Sequence, residues 1–293
     1  MCTFVAMKNY LSLIKFTHTI FAMPFAMVGF FVATTTSSNG FQWHQLALVV
    51  LCMVFARSAA MAFNRYLDRN IDAVNDRTKI REIPAGVIAP RSALLFVLFN
   101  AVGFVVTTFF INWACFLLSP VALAVVLGYS YTKRFTWLCH LVLGLGLSLA
   151  PVGAYLAVAG QFDWIPVLYA VAVLLWVAGF DVIYALQDET FDRTQGLFSI
   201  PSYFGKARAL RISAWMHLGT AVLMVMATRM LFSAAPQTGW MLWTGTAIFL
   251  GLLFYQHLLV KPDDLRKVNL AFFTTNGIAS LLFGAMTILD LLL

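Results

Sequence analysis

The alternation of apolar and polar stretches along the chain predicts nine membrane-spanning helices. A helix needs about 20 mostly apolar residues to cross the hydrocarbon core of a bilayer. The segments that meet this requirement are residues 11–33, 45–67, 92–111, 113–131, 137–159, 165–187, 209–231, 239–260 and 269–291. The third and fourth are read as two helices joined by a tight turn, because together they are too long for one span. We therefore predict an all-α, polytopic membrane protein.

Composition supports this prediction and excludes other classes. Of the 293 residues, 61% are hydrophobic and 11% are charged, whereas about 25% are charged in an ordinary soluble domain. This number of charged residues is too small to cover the surface of a soluble protein of this size. The excess of apolar residues must therefore face a lipid bilayer. The formal net charge of +7 could indicate nucleic-acid binding only if the basic residues formed a patch on a soluble face. They do not, and we expect no nucleic-acid partner.

The basic residues predict the orientation instead. Lys and Arg concentrate in short cytoplasmic loops of membrane proteins, and here they follow the second, fourth, sixth and eighth spans. Only Arg229 lies at the opposite side. We expect a bacterial inner-membrane protein with a cytoplasmic N-terminus, and an uncleaved first span although Lys8 and the apolar run after it are similar to a signal peptide.

An acidic motif occurs twice, where the second and sixth spans end. Each copy has a polar residue followed by aspartates four and eight positions later, a spacing that predicts one helical face. The copies are 120 positions apart and separated by four spans, which predicts two parallel four-helix repeats. Each copy opens a cytoplasmic loop longer than a connection requires, at about residues 68–91 and 188–208. The motif residues are Asn64, Asp68 and Asp72, and Tyr184, Asp188 and Asp192.

Four converging carboxylates require a cation, because they repel one another and would otherwise take up protons. Mg²⁺ is suited to this role, since it is usually held by one or two carboxylates together with substrate phosphates. The cations near the motifs fit a phosphate-bearing substrate. For Lys133 and Arg134, the excess of basic residues on the cytoplasmic side is an equally good explanation. For Arg57, a structural ion pair is the alternative. These cations are Arg57, Arg77, Arg81, Lys133 and Arg134.

Two further features stand within apolar sequence. Asp181 lies one turn before Tyr184, and an intramembrane carboxylate is a functional candidate that could orient a phenol or accept a proton. A run of small residues between Gly144 and Gly153 predicts close helix packing. The five histidines follow no metal-ligand spacing, so we assign them no role.

With these motifs, the chain resembles the UbiA superfamily of membrane prenyltransferases, and within it the 4-hydroxybenzoate polyprenyltransferases. The resemblance runs from Lys15 to the last span. It rests on Arg57-Ser58, the two acidic motifs, Arg77-Thr78 with Arg81, Pro84-Ala85-Gly86, the segment from Tyr131 to Thr136, and Asp181 through Ala185, followed by Gly196, Ser199 and Gly205.

The resemblance implies a single transmembrane prenyltransferase domain over residues 1–293, with nine helices around a central cavity capped by the two cytoplasmic loops. It implies that a polyprenyl group passes from polyprenyl diphosphate to an aromatic acid acceptor. In this reading Asp68, Asp72, Asp188 and Asp192 hold Mg²⁺ on the diphosphate. Asn64 would support that cluster, and Arg77, Arg81, Lys133 and Arg134 would contact the diphosphate.

Two residues depart from the family pattern. Arg65 stands where family members often have Asp, and Glu82 stands where Pro often follows the second loop arginine. Both departures also resemble a branch that prenylates a naphthoate in menaquinone biosynthesis. Naphthoate prenylation and haem farnesylation therefore stay open within the enzyme class. Outside it, a secondary transporter is the rival, since transporters also combine repeats with intramembrane charges.

Overall fold

The computed structural model of the protein describes residues 9–14 and 21–293, and within them it is helical without a β-strand. A 3₁₀ turn (Leu186–Asp188) follows α6, a π-helical segment (Leu270–Thr275) precedes α11, and residues 9–13 form a further helical segment. The helices are α1 (Met23–Thr36), α2 (Trp43–Val74), α3 (Pro90–Ile111), α4 (Trp113–Thr132), α5 (Cys139–Ala159), α6 (Trp164–Ala185), α7 (Glu189–Thr194), α8 (Ile200–Phe204), α9 (Lys206–Ala234), α10 (Trp240–Leu259) and α11 (Asn276–Leu292).

The predicted all-α membrane architecture is confirmed. Eight helical segments are long and apolar enough to cross a membrane, and they match the second to ninth predicted spans. The first predicted span corresponds in part to α1, which is shorter at 14 residues. Residues 15–20 of that span lie outside the described residues, so the count of nine stays a prediction.

Helix α2 differs from its prediction at the C-terminal end. It has 32 residues, which gives a length of about 48 Å against about 30 Å of hydrocarbon. Polar sequence begins at Asn64, about 20 residues after Trp43. The helix therefore continues beyond the predicted end at residue 67 and carries Asp68 and Asp72 itself, and the connecting loop begins only after Val74.

Exposed tryptophans mark the beginnings of four long helices. Each of these helices has Trp as its first residue, and each Trp side chain is exposed. Tryptophan is enriched where a membrane meets water, because its ring is apolar and its N–H is polar. This pattern supports integration into a bilayer. The four residues are Trp43, Trp113, Trp164 and Trp240.

The second acidic motif has a different local structure from the first. Helix α6 ends at Ala185, and the 3₁₀ turn (Leu186–Asp188) separates it from the six-residue helix α7. A 3₁₀ turn has 3.0 residues per turn instead of 3.6. Tyr184, Asp188 and Asp192 therefore do not lie on one uninterrupted α-helix, although all three lie in helical segments, and their shared face stays a prediction.

The chain separates into two compact units, which are described individually. Unit 1 is built around Ala47–Tyr131, and residues 9–14 pack against it through contacts such as Tyr10 with Phe96. Unit 2 is built around Ile20–Leu46 and Thr132–Leu293. Its core contains a group of aromatic side chains in mutual contact, namely Phe25, Trp176, Phe180, Phe249 and Phe283.

Close helix packing in unit 2 depends on specific glycines. A Cβ atom on Gly144 would lie 2.3 Å from the Leu174 carbonyl oxygen, so α5 and α6 approach each other along their backbones. A Cβ atom on Gly29 of α1 would lie 2.2 Å from the Pro151 carbonyl oxygen of α5. No heavy atom lies within 4 Å of such a Cβ on Gly153. The packing prediction is therefore confirmed for Gly144 and wrong for Gly153.

Candidate active site

The first acidic motif forms a buried polar group at the C-terminal end of α2. Asp68 and Asp72 are only 2% and 4% exposed. The Asn64 side-chain amide donates hydrogen bonds to Asp68 Oδ2 at 3.3 Å and to Ser130 Oγ on α4 at 3.4 Å. Burial of a charge is costly without polar partners. The Asn64 amide supplies such a partner to Asp68 and so stabilises a buried carboxylate at this end of α2.

The loop after α2 folds back onto Asp72. Arg81 Nη1 donates to both Asp72 carboxylate oxygens, at 2.7 and 2.8 Å. The Thr78 hydroxyl donates to the Asp72 carbonyl oxygen at 3.3 Å. The predicted cation Arg81 is thus in direct contact with a motif carboxylate, where a charge-assisted bond is stronger than a neutral one.

The outer side of this loop carries an exposed ion pair. Lys79 Nζ lies 2.6 Å from Asp76 Oδ1, and the Asp76 side chain is 97% exposed. The hydrogen bond from Lys79, and then its charge, lowers the pKa of Asp76 below its ordinary value. Asp76 therefore differs from the motif aspartates, because its side chain is solvated whereas theirs are buried.

Two arginines on α2 have a buried Nε atom without a hydrogen-bond partner. They are Arg57, which is half-buried, and Arg65, which is 6% exposed. The charged neighbours of Arg65 include Arg81, Asp72 and Glu82. The two departures from the family pattern, Arg65 and Glu82, are therefore neighbours of opposite charge in unit 1.

In unit 2, Asp181 is hydrogen-bonded to a histidine. His140 Nδ1, at the beginning of α5, lies 2.7 Å from Asp181 Oδ2 on α6. The His140 side chain is 3% exposed and the Asp181 side chain 23% exposed. The backbone N–H of Ile200 donates to His140 Nε2 at 3.2 Å. Asp181 is thus held at the edge of unit 2 rather than within its apolar core.

The second acidic motif lies beside these residues. The ionisable neighbours of Asp192 include Asp188, Lys133 and His140. The Lys133 carbonyl oxygen accepts a hydrogen bond of 2.7 Å from the Phe198 backbone N–H, which ties the α4–α5 connection to the segment after α7. Unit 2 therefore brings one predicted cation, Lys133, near the second motif.

The other predicted site residues have the following positions. The Tyr184 ring is half-buried, and its centroid lies 4.2 Å from that of Phe272 in the π-helical segment. Arg77 is exposed in the loop after α2, where its backbone N–H donates to Asn75 Oδ1 at 2.9 Å. Arg134 is half-buried directly after Lys133.

The donor set fits a magnesium ion that is bound together with a diphosphate. Over residues 9–14 and 21–293, no three His, Cys, Asp or Glu side chains are grouped so that they could hold a metal ion by themselves. Mg²⁺ does not require such a group, since one or two carboxylates with substrate phosphates and water suffice. Each motif supplies two carboxylates, and Asn64 adds an amide beside Asp68.

Sequence reasoning missed His140. The histidine is 41 positions from Asp181 and 60 from Ile200, so no local spacing connects the three. The only signal in the sequence was a polar residue near the start of the fifth predicted span, 137–159. Its role becomes visible once α5 packs on α6.

Comparison with known proteins agrees with these features. The model of the UbiA prenyltransferase family matches residues 22–278. The 4-hydroxybenzoate octaprenyltransferase of Photobacterium profundum is 32% identical over 246 residues, which cover 84% of this chain and 83% of the relative.

Solved structures agree as well. The apo structure of a UbiA homolog from Aeropyrum pernix K1 has a TM-score of 0.83 at 30% identity, covering 93% of this chain and 98% of the other. A UbiA homolog from Archaeoglobus fulgidus bound to GPP and Mg²⁺ has a TM-score of 0.75 at 22% identity, covering 97% and 100%, and shares the fold. The protein is therefore an integral membrane protein that belongs to the UbiA prenyltransferase family.

Proposed function

We propose that this protein transfers a polyprenyl group from a polyprenyl diphosphate to an aromatic acid, with 4-hydroxybenzoate as the acceptor, in ubiquinone-type quinone biosynthesis. Family membership supports prenyl transfer, and relatives named 4-hydroxybenzoate octaprenyltransferase support the acceptor. The observation that carries the proposal is the buried pair Asp68 and Asp72, with Arg81 bonded to Asp72. Buried oxygen ligands beside a guanidinium suit a diphosphate that is bound with Mg²⁺.

The diphosphate site of this proposal combines acidic and basic side chains. Bound Mg²⁺ supplies positive charge that offsets the negative charge on the departing diphosphate. Asn64 supports the site by its hydrogen bond to Asp68. The unpartnered Nε of the half-buried Arg57 provides a donor for an anionic group of a substrate. We assign Asp68, Asp72, Asp188 and Asp192 to the metal, and Arg57, Arg77, Arg81, Lys133 and Arg134 to the diphosphate.

The proposed reaction is an electrophilic aromatic substitution. The C1–O bond of the prenyl diphosphate breaks, and the diphosphate leaves with the electron pair while the surrounding cations stabilise its charge. The ring carbon next to the phenol hydroxyl forms a bond to the allylic carbon C1. The proton on that ring carbon then passes to Asp181, with a cluster aspartate or the released diphosphate as the alternative base. Tyr184, one turn from Asp181, contributes an aromatic surface for the acceptor.

The same proposal includes the position in the cell. We infer a bacterial inner-membrane protein whose N-terminus and acidic motifs are cytoplasmic, because Lys and Arg concentrate in the loops that follow these motifs. Reporter fusions in the α1–α2 connection and in the loop after α2 test this. Cytoplasmic signal from the first fusion, or periplasmic signal from the second, would contradict the orientation.

The central experiment uses purified protein in detergent with Mg²⁺, geranyl diphosphate and 4-hydroxybenzoate, and measures the prenylated acid by mass spectrometry. We expect product with the wild-type protein. Asp68→Asn and Asp188→Asn should each lower kcat/KM by about 100-fold or more, the loss typical when preorganised charge stabilisation is removed. Asp76→Asn is the matched control, because this aspartate is 97% exposed and lies four residues from Asp72; it should retain the wild-type rate.

A second acceptor, a dihydroxynaphthoate, is favoured by one observation. Arg65 and Glu82, the two departures from the family pattern that resemble a naphthoate-prenylating branch, are neighbours of opposite charge and so form one local change. Parallel incubations with 4-hydroxybenzoate, dihydroxynaphthoates and haem distinguish the acceptors by the mass of the product. No product with any acceptor, together with binding of geranyl diphosphate that is independent of Mg²⁺, would favour the transporter alternative.

A further inference from the structure

A buried histidine connects three segments of unit 2. His140 lies in the first turn of α5, bonds Asp181 of α6 through Nδ1 at 2.7 Å, and accepts the Ile200 N–H of α8 through Nε2 at 3.2 Å. Within the described part of the chain, His140 is the residue that hydrogen-bonds the Asp181 side chain. The proposed reaction uses Asp181 and leaves this histidine without a role.

The two bonds determine which ring nitrogen carries the proton. A backbone N–H can only donate, so His140 Nε2 must accept and carries no hydrogen. The hydrogen of the neutral ring is therefore on Nδ1, from which it points at Asp181 Oδ2. Asp181 Oδ2 therefore accepts this hydrogen bond from His140 Nδ1.

We propose that His140 is a positioning residue for Asp181. With its hydrogen on Nδ1, the ring donates a hydrogen bond to the Asp181 carboxylate and thereby orients this carboxylate toward the acceptor ring. The inference rests on the proposed function, in which Asp181 takes the ring proton. The histidine uses one oxygen, Oδ2, and Asp181 accepts no other hydrogen bond among the described residues, which leaves Oδ1 to face the acceptor.

The contact with Ile200 extends this role. Ser199 is the N-cap residue of α8, and its hydroxyl accepts a hydrogen bond of 3.2 Å from the Ser202 N–H. This capping box fixes the backbone around Ile200. Leu197, three residues earlier, donates its backbone N–H to the Asp192 carbonyl oxygen at 2.8 Å. His140 therefore fixes the position of Asp181 relative to the segment that follows the second acidic motif.

Substitutions separate the two bonds of the ring. The side-chain amide of Asn reaches about as far as Nδ1, so His140→Asn keeps a donor for Asp181 and loses the acceptor for Ile200. The amide of Gln reaches about as far as Nε2, so His140→Gln keeps the acceptor for Ile200. His140→Leu removes both. Because misplacement of a catalytic group by about 1 Å can lower a rate 100-fold, we expect kcat to fall about 10- to 100-fold in His140→Leu and His140→Gln, and less than about threefold in His140→Asn.

Two readouts separate positioning from a purely structural role. The KM for geranyl diphosphate should stay within about twofold of wild type in all three variants, because the diphosphate contacts are unchanged. With 4-hydroxybenzoate deuterated at the ring carbons next to the hydroxyl, His140→Leu should show a larger primary isotope effect on kcat than wild type, since slower proton removal limits the rate. An isotope effect is a ratio within one sample, so it does not depend on the folded fraction.

A double-mutant cycle completes the test. If His140 acts through Asp181, the variant with both His140→Leu and Asp181→Asn should be no slower than Asp181→Asn alone. Multiplied losses in the double variant, or an isotope effect in His140→Leu equal to that of wild type, would overturn the inference while leaving the proposed function intact. A wild-type protein that forms no prenylated product would overturn both.

Discussion

The close approach of α5 and α6 at Gly144 should control both stability and activity. An alanine Cβ there would lie 2.3 Å from the Leu174 carbonyl oxygen, 3.1 Å from its carbonyl carbon and 3.3 Å from its Cα. Ordinary contact begins at 3.4 Å, so the two helices must separate by roughly 1 Å. These obstructing atoms are backbone and cannot rotate away.

The expected cost follows from this geometry. Overpacking of an ordered interior typically costs about 1–3 kcal/mol, and the greater helix propensity of alanine offsets at most about 1 kcal/mol. Gly144→Ala should therefore lower the free energy of unfolding by up to about 3 kcal/mol. His140 lies one turn away on the same face of α5, so its 2.7 Å bond to Asp181 should lengthen and the rate should fall about 10-fold or more.

Gly153→Ala is the matched control, because it adds the same methyl group to the same helix where no atom lies within 4 Å. The assays are the thermal midpoint of the purified protein in detergent and the rate of prenylated product formation. Gly153→Ala should keep or slightly raise the midpoint and retain the wild-type rate. If Gly144→Ala has the midpoint and rate of Gly153→Ala, the reasoning from backbone contact is wrong.

Three further variants and one ligand removal test other parts of the structure. Asp290→Ala should lower the thermal midpoint, because Oδ2 of Asp290 accepts hydrogen bonds from two backbone N–H groups at the start of α10, at 2.7 and 2.8 Å. Such caps contribute about 0.5–2 kcal/mol, so an unchanged midpoint would contradict this. Asn276→Ala should cost about 1–3 kcal/mol, since the buried Trp176 indole N–H would lose its acceptor at 2.8 Å. Asn276→Asp should not restore the stability, because it places a buried carboxylate beside the Ala271 and Phe272 carbonyl oxygens to which the amide donates. Arg81→Gln should raise the KM for geranyl diphosphate about 10-fold, whereas the exposed Arg91→Gln should not. Removal of divalent metal with EDTA should abolish product formation, and added Mg²⁺ should restore it; activity that survives EDTA would refute the assignment of the aspartates.

The two acidic motifs have the same spacing of aspartates but different local structures. Asp68 and Asp72 lie on one uninterrupted helix, while Asp188 ends a 3₁₀ turn and Asp192 lies on a separate short helix. A continuous helix is rigid, so the first motif is preorganised by α2 itself. The second depends on contacts such as the Leu197 N–H bond to the Asp192 carbonyl, which fold the following segment back onto α7.

Eight spans and the residues of the proposed site could be predicted from the sequence, because both predictions depend on local rules. A bilayer requires about 20 apolar residues for each helix, and charges in such a sequence persist only where water, partners or function retain them. The ends of α3 and α4 were therefore predicted within two residues. The end of α2 was not, because the rule for crossing a membrane does not say how far a helix continues outside it.

The amino-acid sequence by itself determined the class of the protein, eight of its spans and the residue types of the proposed site, since hydrophobic periodicity and the spacing of carboxylates are properties of the chain alone. The tertiary structure decided which partners these residues have. The bond of His140 to Asp181 connects positions 41 apart, and the contact of Gly144 with Leu174 exists only because two helices meet there. Such contacts depend on the packing of distant segments at ångström precision, and no local pattern in the chain specifies them.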